Sequence, residues 1–284
     1  MEAYKQIDLN DYVQTGEGGT ALTYNHKDGK TLAKLFLASM AAENAIREFR
    51  MSQVVYEIGV PTPKPIRLIT DGTRYGAEYE LIQHKRSFTR IISQEPDQLV
   101  PLSERFAVLA KQIHQTPADT TRLPDMRELV GMWIDRLVDF PDELKRRFHS
   151  FIDTVPSTPT CLHGDLHIGN IITDGSRDLW IDVGDFAYGV PEWDLSMMYY
   201  VAHSLSPERA DNIFHLDNDT LKAHWTAFAK AYYGTDSQEV LNAEVQKLQP
   251  FIFIKMTFFV SKLCDGKRPL SELIIQYLDK ALPK

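Results

Sequence analysis

Apolar and polar residues alternate with a period near two over the first 82 or so positions and follow a helical period beyond them. Tyr12 to Tyr24 places Gly16, Gly18 and Gly19 between Val13 and Leu22, which predicts two strands joined by a glycine-rich turn. His26–Lys30 predicts a second turn and Thr31–Leu37 a strand. Residues 40–58 then put Ala42, Ala45, Ile46, Phe49 and Tyr56 on one helical face, with Ser39 as the expected N-cap and Gly59 and Pro61 as the stop. Pro65–Thr70 and Tyr75–Ile82 read as strands divided by a turn at Asp71-Gly72. The rest predicts helices at about 103–115, 125–138, 141–153, 192–204, 220–233, 237–262 and 270–281. Residues 160–190 interrupt them with a short hairpin, Ile168–Thr173 and Leu179–Val183, turning at Asp174-Gly175.

An α+β chain of two lobes follows: residues 1–83 as an antiparallel sheet with one helix, and residues 84–284 as a mainly helical lobe. Composition agrees with a globular protein, since 43% of the 284 residues are hydrophobic and 25% charged. The net charge of −8 gives no general attraction to nucleic acid or to an anionic membrane. The start of the chain lacks a basic-then-apolar leader, and Lys255 breaks the most apolar stretch, Phe251–Val260. Cys161 and Cys264 form neither a disulfide framework nor a thiolate zinc site, and the nine histidines show no metal-binding spacing. The expectation is a soluble cytoplasmic protein without nucleic-acid or membrane partners.

The segment that carries chemistry is His163-Gly164-Asp165-Leu166-His167-Ile168-Gly169-Asn170, followed 12 residues after Asn170 by Asp182 in Ile181-Asp182-Val183-Gly184. It fits the catalytic-loop template H-x-D-L-x-x-x-N of phosphoryl-transfer enzymes. Such a reaction needs a hydroxyl oriented in line and a phosphate charge neutralised by metal. Asp165 is the candidate base, and Asn170 and Asp182 supply hard oxygen ligands suited to Mg²⁺. A lone His-Gly-Asp would be a buried turn satisfying local backbone; the full spacing argues against that.

Three features of the first lobe suit such a site. Gly16, Gly18, Gly19 and Thr20 can bring backbone amides close to phosphate oxygens, although glycine turns are common in hairpins. Lys34, flanked by Ala33 and Leu35, is either a solvated strand residue or a phosphate ligand held by a carboxylate. Helical periodicity leaves Glu43 and Glu48 equally placed for that partner.

The order of these motifs, ending in Pro191-Glu192-Trp193-Asp194-Leu195, resembles the aminoglycoside phosphotransferase family, which includes choline-kinase-like enzymes and has a protein-kinase-like fold. The resemblance runs from about Gly16 to Tyr200. It implies Glu48 rather than Glu43 as the partner of Lys34, adenine contacts through the backbones of Glu80 and Ile82, and a bracing role for Asp194. It further implies ATP and Mg²⁺ as cofactors and a small-molecule hydroxyl as acceptor. Val183 and Ile168 stand where the family often has Trp and Pro, which bears on substrate fit rather than on charge.

Two other classes compete. A protein kinase would carry an activation segment, yet only nine residues separate Gly184 from Asp194. A nucleotide-binding regulatory pseudoenzyme would not need the full set Lys34, Asp165, Asn170 and Asp182. Acidic residues outnumber basic ones 28 to 22 after residue 83, which leans towards a cationic acceptor.

Overall fold

The structure, a computed structural model, describes residues 4–18, 20–137 and 140–263. The chain runs through β1 (Lys5–Gln6), β2 (Tyr12–Glu17), β3 (Ala21–His26), β4 (Thr31–Phe36), α1 (Ala42–Glu57), β5 (Pro65–Thr70), β6 (Tyr75–Glu80) and β7 (Arg86–Ser87). It continues through α2 (Phe88–Gln94), α3 (Leu99–Gln115), α4 (Met126–Asp135), α5 (Asp142–Thr154), β8 (Cys161–Leu162), β9 (Ile171–Thr173), β10 (Asp178–Trp180), β11 (Ala187–Tyr188), α6 (Glu192–Ser204), α7 (Pro207–Phe214), α8 (Asn218–Tyr233) and α9 (Gln238–Leu263). Two compact units result. One holds the described residues up to Ser87 together with Asn170–Phe186; the other holds Phe88–Gly169 and the described residues from Ala187 on.

The first unit is built on a six-stranded sheet in the order β1-β5-β6-β4-β3-β2, antiparallel except for the β1–β5 pair. Both faces are covered. Ala45 and Phe49 of α1 pack on Ala21, Phe36, Leu68 and Ala77, while Tyr12, Tyr24, Ala33, Leu35 and Ile69 fill the opposite face. Strand side chains alternate, so Lys34, two positions before Phe36, shares the helix face. The hairpin β9–β10 belongs to this unit: β9 pairs with β7, Trp180 N–H donates to the Pro61 carbonyl at 2.8 Å, and Ile82 packs on Ile172 and Leu179.

The second unit is mainly helical. Its core gathers Phe148, Leu162, Trp193, Phe251, Phe253 and Ile254, with Met256 packed against it. Phe251 and Phe253 are core and Met256 packs against it; the side chains of Phe258 and Phe259 lie outside the described residues, as do Cys264 and the helix expected at 270–281. Helix α8 starts on Asp217, which accepts from the Thr220 N–H, and ends on Gly234 at φ +68°. No helix among the described residues is long and apolar enough to cross a membrane.

Several local expectations need correction. Helix α1 begins after Ala41 with no side-chain cap, because Met40 N–H turns back onto the Leu37 carbonyl and Ser39 falls within that turn. Ile168–Asn170 is a 3-10 turn, so strand β9 starts only at Ile171, and β10 ends at Trp180 before Asp182 takes a left-handed φ of +56°. The short elements β1, β7, α2 and α7 carry too few periodic positions to be seen in sequence.

His224 sits buried between α3 and α8. The Ser103 hydroxyl donates to the Leu99 carbonyl at 2.6 Å, so His224 Nδ1–H must be the donor to Ser103 Oγ at 2.8 Å. Nε2 has no partner among the described residues, and burial pushes the imidazole down from 6.5 to about 3. The unfolded chain binds a proton there that the folded chain refuses. Stability from this group is complete above pH 6.5 and is lost as pH falls towards 3, at about 1.4 kcal/mol per pH unit. Urea unfolding at pH 6.5 and pH 5 checks this: the wild type should lose about 2 kcal/mol more than His224→Leu over that interval.

Candidate active site

Lys34 is the centre of charge in the first unit. Its Nζ lies 2.8 Å from Glu48 Oε1 and 2.7 Å from Asp182 Oδ1. Burial opposes the ammonium charge, but Asp182 and then Glu48 outweigh it and hold Lys34 well above its ordinary range. Glu48 is reached because it lies on the buried side of α1, one residue before Phe49, whereas Glu43 is exposed in the first turn. Gly184 passes against Glu48 so closely that a Cβ there would stand 3.2 Å from Glu48 Cγ. The Tyr79 hydroxyl, 3.4 Å from Ser52 Oγ, is pushed up by burial and by the Glu48 charge.

Asn170 and Asp182 flank the hairpin β9–β10 at its open end. Ile171 pairs with Trp180, and Ile181 N–H donates to the Asn170 carbonyl at 3.0 Å, so the two chain segments run side by side. Asn170 is buried, while the Asp182 side chain is 52% exposed. A carboxylate and an amide oxygen at one hairpin end are a donor set that fits a hard divalent cation such as Mg²⁺. No cluster of three or more His, Cys, Asp or Glu suited to a metal occurs among the described residues.

The glycine turn joins β2 to β3 rather than opening a helix. Gly18 N–H donates to the Ala21 carbonyl at 2.9 Å, and Thr20 is exposed. Gly16 lies against Thr23, where a Cβ would stand 2.5 Å from the hydroxyl oxygen; Gly19 lies outside the described residues. At the end of β6, Glu80 N–H donates to the Lys64 carbonyl at 2.9 Å, and the Glu80 carboxylate lies 3.5 Å from Arg177. Ile82 is buried two residues further on.

In the second unit, Asp165 stands on a loop held from behind. The buried Asp194 carboxylate accepts from His163 N–H at 2.7 Å, Gly164 N–H at 2.9 Å and His114 Nε2 at 3.1 Å. Burial works against that charge, and the His114 hydrogen bond together with nearby cationic groups overcomes it, keeping Asp194 below the usual carboxylate range. Tyr232 fixes the other side of the ring through His114 Nδ1 at 2.7 Å. His167 Nε2 lies 3.7 Å from Asp165 Oδ2, and its ring stands edge-on to Phe214. The sequence singles out neither His114 nor Tyr232 behind this loop, nor the Lys255 Nζ that donates to the Gly164 carbonyl at 2.8 Å. Only Lys255 leaves a trace there, as a charge inside an apolar helical run.

A sheet-and-helix unit holding a Lys–Glu–Asp ion cluster, with a mainly helical unit, makes the two-lobed α+β fold of the kinase-like enzymes. Solved structures agree. An amicoumacin kinase in complex with AMP-PNP, Ca²⁺ and Ami matches at TM-score 0.58 and 14% identity, covering 98% of this chain and 88% of the other. A choline/ethanolamine kinase family protein from Mesorhizobium loti matches at 0.55 and 15%, covering 95% and 85%. A thermostable mutant of the aminoglycoside phosphotransferase APH(4)-Ia, in ternary complex with AMP-PNP and hygromycin B, matches at 0.62 and 12%, covering 95% and 92%. No curated protein sequence matches the chain. Residues 12–229 match the model of the phosphotransferase enzyme family, and the chain belongs to that family.

Proposed function

We propose that the chain moves the γ-phosphoryl group of ATP to a hydroxyl of a small molecule, with residues 1–83 as the nucleotide-binding lobe and 84–284 as the catalytic and acceptor-binding lobe. The observation that carries this reading is the cluster of Lys34, Glu48 and Asp182, a cation held between two carboxylates on the face of the sheet that meets α1. A lysine so held is presented as a fixed point charge to phosphate oxygens. Gly16, Gly18, Gly19 and Thr20 lend backbone amides to the phosphates, and the backbones of Glu80 and Ile82 receive the adenine. Asn170 and Asp182 would hold Mg²⁺, which when bound neutralises the phosphate charge. Asp165 accepts the acceptor's hydroxyl proton as that oxygen bonds to phosphorus and the bond to ADP breaks.

The acceptor class is drawn from charge. The excess of acidic residues after position 83 favours a cationic hydroxyl compound. Structural neighbours with bound amicoumacin, hygromycin B or streptomycin are in keeping with that choice. The test is ADP release with Mg²⁺-ATP across aminoglycosides, choline-like amine alcohols, sugars and hydroxy amino acids. Turnover with a cationic alcohol well above the hydrolysis background is the expected result. Binding of Mg²⁺-ATP without ADP release from any acceptor would overturn the enzymatic reading.

A further inference from the structure

The inference concerns Lys255 and rests on the assignment of Asp165 as the base. Lys255 lies on α9 among Phe251, Ile252, Phe253 and Ile254, and it is only 4% exposed. Burying an ammonium in such company costs several kcal/mol unless it is paired and hydrogen-bonded. An apolar residue would pack this position more cheaply. The charge has a specific use: Lys255 Nζ donates to the Gly164 carbonyl at 2.8 Å.

The geometry around Gly164 shows what that bond does. Asp194 accepts the N–H groups of His163 and Gly164, and Lys255 donates to the carbonyl of Gly164. Three successive peptide groups are thereby held, two by a buried carboxylate and the third, which joins Gly164 to Asp165, by a buried ammonium. Gly164 adopts φ +83°, a conformation in which a glycine meets little resistance to rotation of the following peptide. Such a rotation would swing the Asp165 side chain away. We propose that Lys255 is a positioning residue for Asp165, fixing the Gly164–Asp165 peptide against this rotation.

The test compares Lys255→Met, which keeps the length of the stem and removes the ammonium, with Lys255→Arg, which restores a charged donor. Turnover of Mg²⁺-ATP in Lys255→Met should fall about 10- to 100-fold in kcat, with KM for ATP changed less than about twofold, since misplacing a reacting group by an ångström costs that order of rate. Lys255→Arg should recover part of the loss. A second readout is independent of turnover: amide exchange of residues 162–168 should quicken roughly tenfold in Lys255→Met while exchange in α8 stays as in wild type. Lys255→Gln, a neutral polar side chain one bond too short to reach the Gly164 carbonyl as Lys255 does, serves with the same expected outcomes if Lys255→Met does not fold. A folded Lys255→Met variant with wild-type kcat, or one whose 162–168 amides exchange at the wild-type rate, overturns the proposal. If the wild type releases no ADP with any acceptor, the functional reading fails, and the exchange measurement still decides the role of Lys255.

Discussion

Asp165→Asn should abolish phosphoryl transfer while leaving ATP binding nearly intact. The amide has the size of the carboxylate but cannot take the proton of an acceptor hydroxyl, so the loss falls on the chemical step, with a base worth about 10²–10⁴-fold. The fold should tolerate the change. The side chain is 30% exposed, and the loop beneath it is held through the backbone of His163 and Gly164 by Asp194 rather than through Asp165 itself. Two measurements on one preparation decide the matter: ADP release with the best acceptor found, and the rise in melting temperature on adding Mg²⁺-ATP. A folded Asp165→Asn variant that turns over at the wild-type rate removes Asp165 from the mechanism.

Lys34→Ala should do the reverse and strike binding first. Its ammonium lies between the Glu48 and Asp182 carboxylates, and its loss leaves both without that cation. At an ATP concentration 100-fold above Kd, binding stabilises the wild type by about 2.7 kcal/mol; a 100-fold weaker Kd reduces that to about 0.4 kcal/mol. The ATP-induced thermal shift should therefore almost vanish. Asp182→Asn should weaken Mg²⁺-ATP binding and turnover together, because it removes a negative charge from the proposed metal ligand while Lys34 keeps Glu48 at 2.8 Å. An undiminished thermal shift in Lys34→Ala would count against a phosphate role for this residue.

How far the site could be read in sequence depended on whether its residues are joined by local spacing. Asp165, Asn170 and Asp182 could be picked out as candidates because the loop and hairpin that carry them are continuous in the chain. The partner of Lys34 could not be picked out by local spacing and came only from the family resemblance, which pointed to Glu48. Helical period alone left Glu43 and Glu48 equal, and only the pairing of α1 with the sheet puts Glu48 beside the strand lysine and leaves Glu43 in solvent. Gly76 was likewise silent. It looks like an ordinary strand glycine, yet a Cβ there would stand 1.9 Å from the Lys34 carbonyl oxygen, so the close approach of β4 and β6 depends on it.

Local pattern carries the alternation of the first 82 positions, the helices after them and the spacing from His163 to Asp182. Each follows from forces acting over a few residues: side-chain period, turn chemistry and capping. Long-range packing supplies the rest. It assigned the hairpin at 171–180 to the first unit, through the pairing of β9 with β7 and the packing of Ile172 and Leu179 on Ile82. It also gathered Asp194, His114 and Lys255 behind the loop that carries Asp165. These residues are distant in the chain and share no period. They meet because buried charges on separate helices must find partners when the core excludes water.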